Sequence, residues 1–179
     1  MAASFPEFEA GDLLLSMRKL NLVMVVNPAT RQIKWRQTGP WLRQHDPEFN
    51  SDGTLTVFNN NAYRTSLLQG DKSDPAAPRT TNIVRINPRT RETQVAFGER
   101  PGQELFSVIR GKHEVTNDGG FLITEVEAGR VIETDATGKI FWEYVNRYDA
   151  ENVAELTEAR LYPKEYFNVI DWSCPPNKE

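Results

Sequence analysis

Three segments of the chain repeat one pattern, and this repeat limits the possible fold more than any other feature. The first segment covers residues 11–38. The second covers 52–60 and continues at 82–98 after a long insertion, and the third covers 119–145. Each segment contains β-rich runs around a tight turn, and its last run alternates apolar with polar residues. Because a period of two is the period of a strand, the repeat predicts an all-β chain built from similar units.

Turn-forming residues divide each segment at equivalent places. Pro28 and Pro88 preset φ at the start of the turn in the first two segments, and Gly138 supplies a positive φ in the third. Trp35 and Trp142 then follow at equivalent positions on the run after the turn. The three segments are therefore predicted to share one strand order.

A fourth strand is predicted just upstream of two segments, over 45–49 and 112–116. Each of these runs leads into the next through an Asp-Gly turn, which is a strong hairpin signal. In the first segment only residues 5–9 could supply this strand. Four antiparallel strands per unit are typical of a β-propeller blade. We therefore predict blades over about 5–38, 45–98 and 111–145, which together form a partial propeller over 1–146.

Three blades are too few for a closed propeller, which takes at least about four. We therefore expect either that N-terminal blades are missing from this chain or that copies associate to close the ring. The extra length of the second unit falls within residues 60–81, where the sequence GDKSDPAAPR predicts a mobile loop.

A different pattern begins after the third unit, over residues 147–179. The stretch 149–160 has good helix-forming composition, with Asp149 as a suitable N-cap. Four aromatic residues follow it. We predict a short C-terminal helix and an aromatic tail that pack on the propeller.

Composition excludes several classes of protein. The net charge of −4 argues against binding to nucleic acid through phosphate contacts. The apolar stretches are too short to span a membrane, and no signal peptide is visible at the N-terminus. A single cysteine, Cys174, cannot form an internal disulfide, and two histidines do not complete a metal site by themselves. We therefore predict no metal.

Both histidines fall on the predicted first strand of a blade. Counting from the Asp-Gly turns places His45 and His113 on one face, because they are separated by an even number of strand positions. Arg18, Arg64 and Arg110 lie near the same end of their units. Since arginine binds oxyanions through paired charge-assisted hydrogen bonds, this end could bind a sulfate or phosphate ester.

Several motifs resemble the arylsulfotransferase family of nucleotide-independent aryl sulfate sulfotransferases. Residues 41–46 (WLRQHD), 52–61 (DGTLTVFNNN) and Arg64 resemble the family stretch QHD…DGxLxxFDN…R. Residues 11–18 and 33–36 resemble the preceding GDxLxSxR…IxWR stretch. The likeness covers nearly the whole chain and extends into the segments 141–146 and 159–163.

The resemblance implies a six-bladed propeller with its active site at the channel, and no cofactor. It also implies transfer of a sulfuryl group from an aryl sulfate to a phenol through a transiently sulfated histidine. His45 matches the QHD histidine and would stabilise the transferred group or act in acid–base catalysis, while Arg64 would bind the sulfate. The predicted catalytic residues are His45, Arg64 and His113, and the predicted substrate-binding residues are Arg18, Asn61 and Arg110.

Two departures from the family pattern leave an alternative open. Asn59 replaces the acid of the FDN motif, and the histidine that commonly precedes GDxLxSxR is either absent or cut away, because the sequence begins there. The alternative is a non-catalytic propeller that binds a partner or serves as a scaffold, because one fold supports many functions. Relatives are often exported or periplasmic, but this sequence does not itself indicate a compartment.

Overall fold

A computed structural model describes residues 4–62, 81–169 and 173. Within these residues there are eleven strands and two short 3₁₀ turns, at Arg18–Leu20 and Lys164–Tyr166. The strands are β1 (Leu13–Met17), β2 (Leu22–Asn27), β3 (Gln32–Thr38), β4 (His45–Phe49), β5 (Leu55–Asn59), β6 (Asn82–Ile86), β7 (Thr93–Phe97), β8 (Lys112–Val115), β9 (Phe121–Glu125), β10 (Arg130–Thr134) and β11 (Ile140–Val145).

The strands form three antiparallel sheets in which neighbours in sequence pair with one another. The first sheet has the order β1-β2-β3, the second β4-β5-β6-β7 and the third β8-β9-β10-β11. The prediction of an all-β chain with four-stranded units is thus confirmed for the second and third units. The first sheet has three strands because residues 5–9 form turns. Phe5 and Phe8 from this segment pack instead against Phe49, with ring centroids 5.2 and 5.9 Å away.

The second sheet packs between the other two through both of its faces. Leu55 and Val57 of β5 join the core shared with the first sheet, whereas Phe58 of the same strand joins the core shared with the third. Strand alternation produces this division, since successive side chains point to opposite faces. In addition, β1 contacts β4 and β4 contacts β8. Equivalent strand ends of the three sheets are therefore brought to one end of the structure.

The predicted helix over 149–160 is wrong. The Asp149 carboxylate accepts hydrogen bonds from the backbone N–H groups of Glu151 (2.9 Å) and Asn152 (2.7 Å), which forms a turn. The chain then continues without helix, and the N–H of Leu156 donates to the carbonyl of Val126. This bond to the residue after β9, and the bond from the N–H of Ala159 to the Thr124 hydroxyl of β9, replace those that a helix would make within itself. Helix propensity is a weak local preference that such tertiary contacts override.

Most of the predicted loop within residues 60–81, including Arg64, lies outside the described residues. The division of the chain at residue 146 stays a prediction. In the described part of the chain, no helix is long and apolar enough to span a membrane.

We expect the variant Gly111→Ala to show how closely the second and third sheets pack. Both Gly111 and Gly11 have a positive φ, so alanine strains the backbone at either position. A Cβ atom at Gly111 would collide with the Phe58 ring, whereas one at Gly11 would meet no atom of the described residues within 4 Å. Gly111→Ala should therefore lower the free energy of unfolding by about 1–3 kcal/mol more than the control Gly11→Ala. Urea unfolding measures both losses, and equal losses would contradict this packing.

Candidate functional site

The ends of three strands place His45 and Arg18 at one end of the structure, which we call the mouth. His45 opens β4 and pairs with Phe58 near the end of β5, while Arg18 directly follows β1. The two residues are close enough for the charge of Arg18 to act on the His45 imidazole. The structure therefore brings together two of the residues that were predicted from sequence.

Asn60 determines which nitrogen of His45 carries the proton. Its side-chain amide donates to the carbonyls of Ser107 (3.0 Å) and Arg110 (2.6 Å), so its oxygen faces His45. This oxygen lies 2.6 Å from Nδ1 of His45. An amide oxygen can only accept, so we assign the proton to Nδ1. The Nε2 atom of the neutral ring then keeps its lone pair.

The surroundings of His45 favour the neutral ring. Burial lowers the pKa of His45 below its ordinary value of 6.5, and the positive charge of Arg18 acts in the same direction. The bond to Asn60 and the charges of Asp46 and Glu127 oppose this shift without reversing it. The imidazole is therefore uncharged near pH 7 and able to take up a proton.

Arg18 and Arg43 place positive charge beside His45. Among the residues that the structure describes, no carboxylate forms an ion pair with either guanidinium group, and Nε of Arg18 is buried without a hydrogen-bond partner. Burial, followed by repulsion from Arg43, lowers the pKa of Arg18. An anion that bridged the two groups would relieve this repulsion and satisfy the buried donor.

Asn59, which replaces the acid of the family motif, connects the loop before His45 to β5. Its side-chain oxygen accepts from the backbone N–H of Leu42 (2.8 Å) and of Asn61 (3.1 Å). Its amide nitrogen donates to the side-chain oxygen of Asn82 at 2.9 Å. A carboxylate could accept the first two bonds but could not donate the third. Asparagine is thus suited to this position as a structural residue.

His113 is buried between the second and third sheets. Its Nε2 atom lies 2.7 Å from the hydroxyl of Thr56, and its backbone N–H donates to Asp46 at 2.6 Å. Nδ1 is 3.4 Å from the same Asp46 oxygen. The side chain is fully shielded from solvent, so the structure does not bring its ring to the exposed part of the mouth. The prediction that His45 and His113 share one face counted strand positions from the Asp-Gly turns. The bulge between His45 and Glu48 shifts the register of β4 and so changes that count.

The other predicted residues have different surroundings. The Arg110 guanidinium is exposed and pairs with Glu155 at 3.0 Å, while its carbonyl orients Asn60. Asn61 has a positive φ and donates its N–H to the carbonyl of Leu42. Arg64 lies outside the described residues.

Sequence reasoning missed three residues that shape the mouth: Arg43, Asn60 and Glu127. Glu127 accepts from the hydroxyl of Ser107 (2.6 Å) and the N–H of Ile109 (3.0 Å), which holds the loop that orients Asn60. Arg43 lies in the motif WLRQHD and Asn60 in the motif DGTLTVFNNN. Membership of these motifs was the one signal in the sequence that could have identified them. No signal in the sequence singles out Glu127.

A polar cavity of about 290 Å³ lies beside the buried pair of Asp46 and His113. The C-terminal tail contributes to its lining through residues 158–162. Lys112 at the rim pairs with Glu158 at 2.8 Å and approaches Asp46 at 3.7 Å. In the described ranges, no group of three histidine, cysteine or carboxylate side chains is arranged to hold a metal ion.

We expect Asp46→Asn to remove a pH-dependent part of the stability. Burial would raise the pKa of Asp46, but the hydrogen bonds and charge of His113 outweigh burial and hold it below 3.8. A lowered pKa contributes stability above about pH 4 that is lost as the pH falls through the folded-state value. Asp46→Asn should therefore lose about 1–3 kcal/mol at pH 7 and approach the parent in stability below pH 4.

Urea unfolding across this pH range measures the difference between the two proteins. A control variant, Glu151→Gln, changes an exposed carboxylate that forms no ion pair within the described residues, and its stability should follow that of the parent at every pH. A constant gap between Asp46→Asn and the parent at every pH would contradict the ionic role of Asp46.

Comparisons with known proteins identify the family. No curated protein matches the chain. Among solved structures, the chain is similar to a protein of unknown function from Bacteroides caccae, with 14% sequence identity and a TM-score of 0.35. That match covers 74% of this chain but only 57% of the other protein. The family model described as "Arylsulfotransferase (ASST)" matches residues 2–147, which is most of the chain, and the chain therefore belongs to the arylsulfotransferase family.

Proposed function

We propose that this chain is an aryl sulfotransferase-like protein whose three sheets are propeller blades. Its mouth binds an aryl sulfate and transfers the sulfuryl group to a phenol. One observation carries the proposal: a neutral His45 with a free lone pair lies beside Arg18 and Arg43, which have no described carboxylate partner. Family membership agrees with this chemistry.

The arginines bind the group that is transferred. A sulfate ester carries a negative charge on its three free oxygens, and this charge spreads in the transition state. Guanidinium groups stabilise such oxygens through paired hydrogen bonds that need no rearrangement during the reaction. Arg18 and Arg43 are available for this role. The resemblance to the family implies that Arg64, which follows β5 in the sequence, also binds the sulfate.

His45 moves the proton. As the phenol oxygen forms its bond to sulfur, Nε2 accepts the phenolic proton, and the bond between sulfur and the donor aryl oxygen breaks. The same proton then passes to the aryl oxide that leaves, so the site ends as it began. Burial keeps the pKa of His45 low enough for the ring to be neutral at pH 7 before the reaction, as a general base requires.

We expect release of nitrophenol from 4-nitrophenyl sulfate to depend on an added phenol acceptor. His45→Ala should lower kcat/KM by about 10²–10⁴-fold because the proton acceptor is lost. Arg18→Ala should lower it by about 10²–10³-fold because an oxyanion-binding group is lost. Lys19→Ala is the matched control, since it removes an exposed positive charge next to Arg18 in the same 3₁₀ turn and should change little.

The outcomes of this assay distinguish sulfuryl transfer, non-catalytic binding and a general effect of charge. Equal losses in Lys19→Ala and Arg18→Ala would indicate only a general charge effect. Failure of the folded parent to release nitrophenol would reject sulfuryl transfer. If 4-nitrophenyl sulfate then still bound and Arg18→Ala weakened the binding, the mouth would be a non-catalytic anion-binding site.

The pH profile gives an independent test of the role of His45. Because the reactive form is deprotonated and its pKa lies below 6.5, kcat/KM should be constant near pH 7 and fall tenfold per pH unit in acid. Residual activity of His45→Ala should lack this acidic limb. An identical limb in His45→Ala would assign it to another group.

A further inference from the structure

The outer face of the first sheet has the side chains of a sheet-packing face, but none of the sheets formed by the described residues covers it. In β1 and β2, Leu13 pairs with Val26 and Leu15 with Met24. The equivalent pairs of the second sheet are Leu55 with Ile86 and Val57 with Val84, and these four residues are buried against the first sheet. Leu13 is 48% exposed, whereas its equivalent Leu55 is 0% exposed.

The outer face of the third sheet resembles the face of the first sheet that packs against the second sheet. In the first sheet Val25 pairs with Trp35, and in the third Glu133 pairs with Trp142 at the same register. Trp35 is 7% exposed because the second sheet covers it, whereas Trp142 is 46% exposed. The Trp142 ring stacks on that of Tyr144 with centroids 6.4 Å apart.

An apolar groove beside Trp142 provides room for another surface. It has a volume of about 360 Å³ and runs between the third sheet and the C-terminal tail. Leu122 and Val131 line its sheet side, and Leu156 and Leu161 line its tail side. The tail thus covers the inner strands of this face and leaves the part around β10 and β11 open.

We propose that the outer face of the first sheet docks against the outer face of the third sheet in a second copy of this chain. This contact would continue the packing that already joins the first sheet to the second. The two outer faces carry the residue types found between the first and second sheets, and these residues lie at the same strand register. The two faces lie at opposite ends of one molecule. Such a head-to-tail contact uses two different surfaces and so need not be symmetric.

The charges on the two faces agree with this pairing. Met24 pairs with Arg36 in the first sheet, as Val84 pairs with Val95 in the second. Val95 packs into the covered interface that contains Val25. In the outer faces, Arg36 of the first sheet is equivalent to Val95, and Glu133 of the third sheet is equivalent to Val25. Arg36 and Glu133 have opposite charges. A basic residue on one face would thus meet an acidic residue on the other.

Mixing two variants tests the head-to-tail contact. Sedimentation velocity of the parent should show association that increases with concentration. Leu13→Glu and Trp142→Glu should each be monomeric, since each variant loses one of the two faces. An equimolar mixture of the two should recover dimers, because one intact face remains on each protein. Leu20→Glu, which changes a 63% exposed residue of the 3₁₀ turn, is the control and should associate like the parent.

A charge reversal tests the same contact even if Leu13→Glu or Trp142→Glu fails to fold. Arg36→Glu and Glu133→Arg should each weaken association, and the two changes together should restore it. A parent that stays monomeric up to its limit of solubility would overturn the proposal. So would loss of association in Trp142→Glu with no effect of Leu13→Glu, since that result indicates a symmetric contact between two third sheets.

Discussion

Burial of β5 on both of its faces is the constraint on which the rest of the structure depends. Leu55 and Val57 point into one apolar core and Phe58 into the other, so a single strand belongs to both sheet interfaces. Since apolar burial is the main favourable term in folding, the three sheets can stack only in the order in which β5 lies between them. Strand alternation makes this double use possible, because it separates the two sets of side chains without any change in the backbone.

The mouth follows from the same stacking. Once β4 and β5 are held between the neighbouring sheets, Asn60 at the end of β5 meets both the His45 ring and the loop around Ser107. The bulge in β4 then separates the two histidines, with His45 partly buried and His113 enclosed beside Asp46. The irregularity of β4 thus leaves His45 with a ring nitrogen available for chemistry and gives His113 a structural role.

The strands and the sheet order could be read from the sequence because their signals are local. Period-two alternation, Asp-Gly turns and the prolines at the other turns each act over a few residues. The helix over 149–160 was predicted on equally local grounds, yet the N–H of Ala159 bonds to Thr124 of the third sheet instead. Likewise, counting positions could not detect the bulge after His45, which depends on how β4 pairs with β5.

By itself, the sequence determined an all-β fold of repeated units and the motif residues that mark the arylsulfotransferase family, including His45 and Arg18. Only the tertiary structure decided that Nε2 of His45 keeps the free lone pair, that Arg43 joins Arg18, and that His113 is closed off from solvent. The physical reason is that protonation and accessibility depend on neighbours distant in sequence. Asn60 orients His45 only because Ser107 and Arg110 fix its amide, and no pattern along the chain encodes that contact.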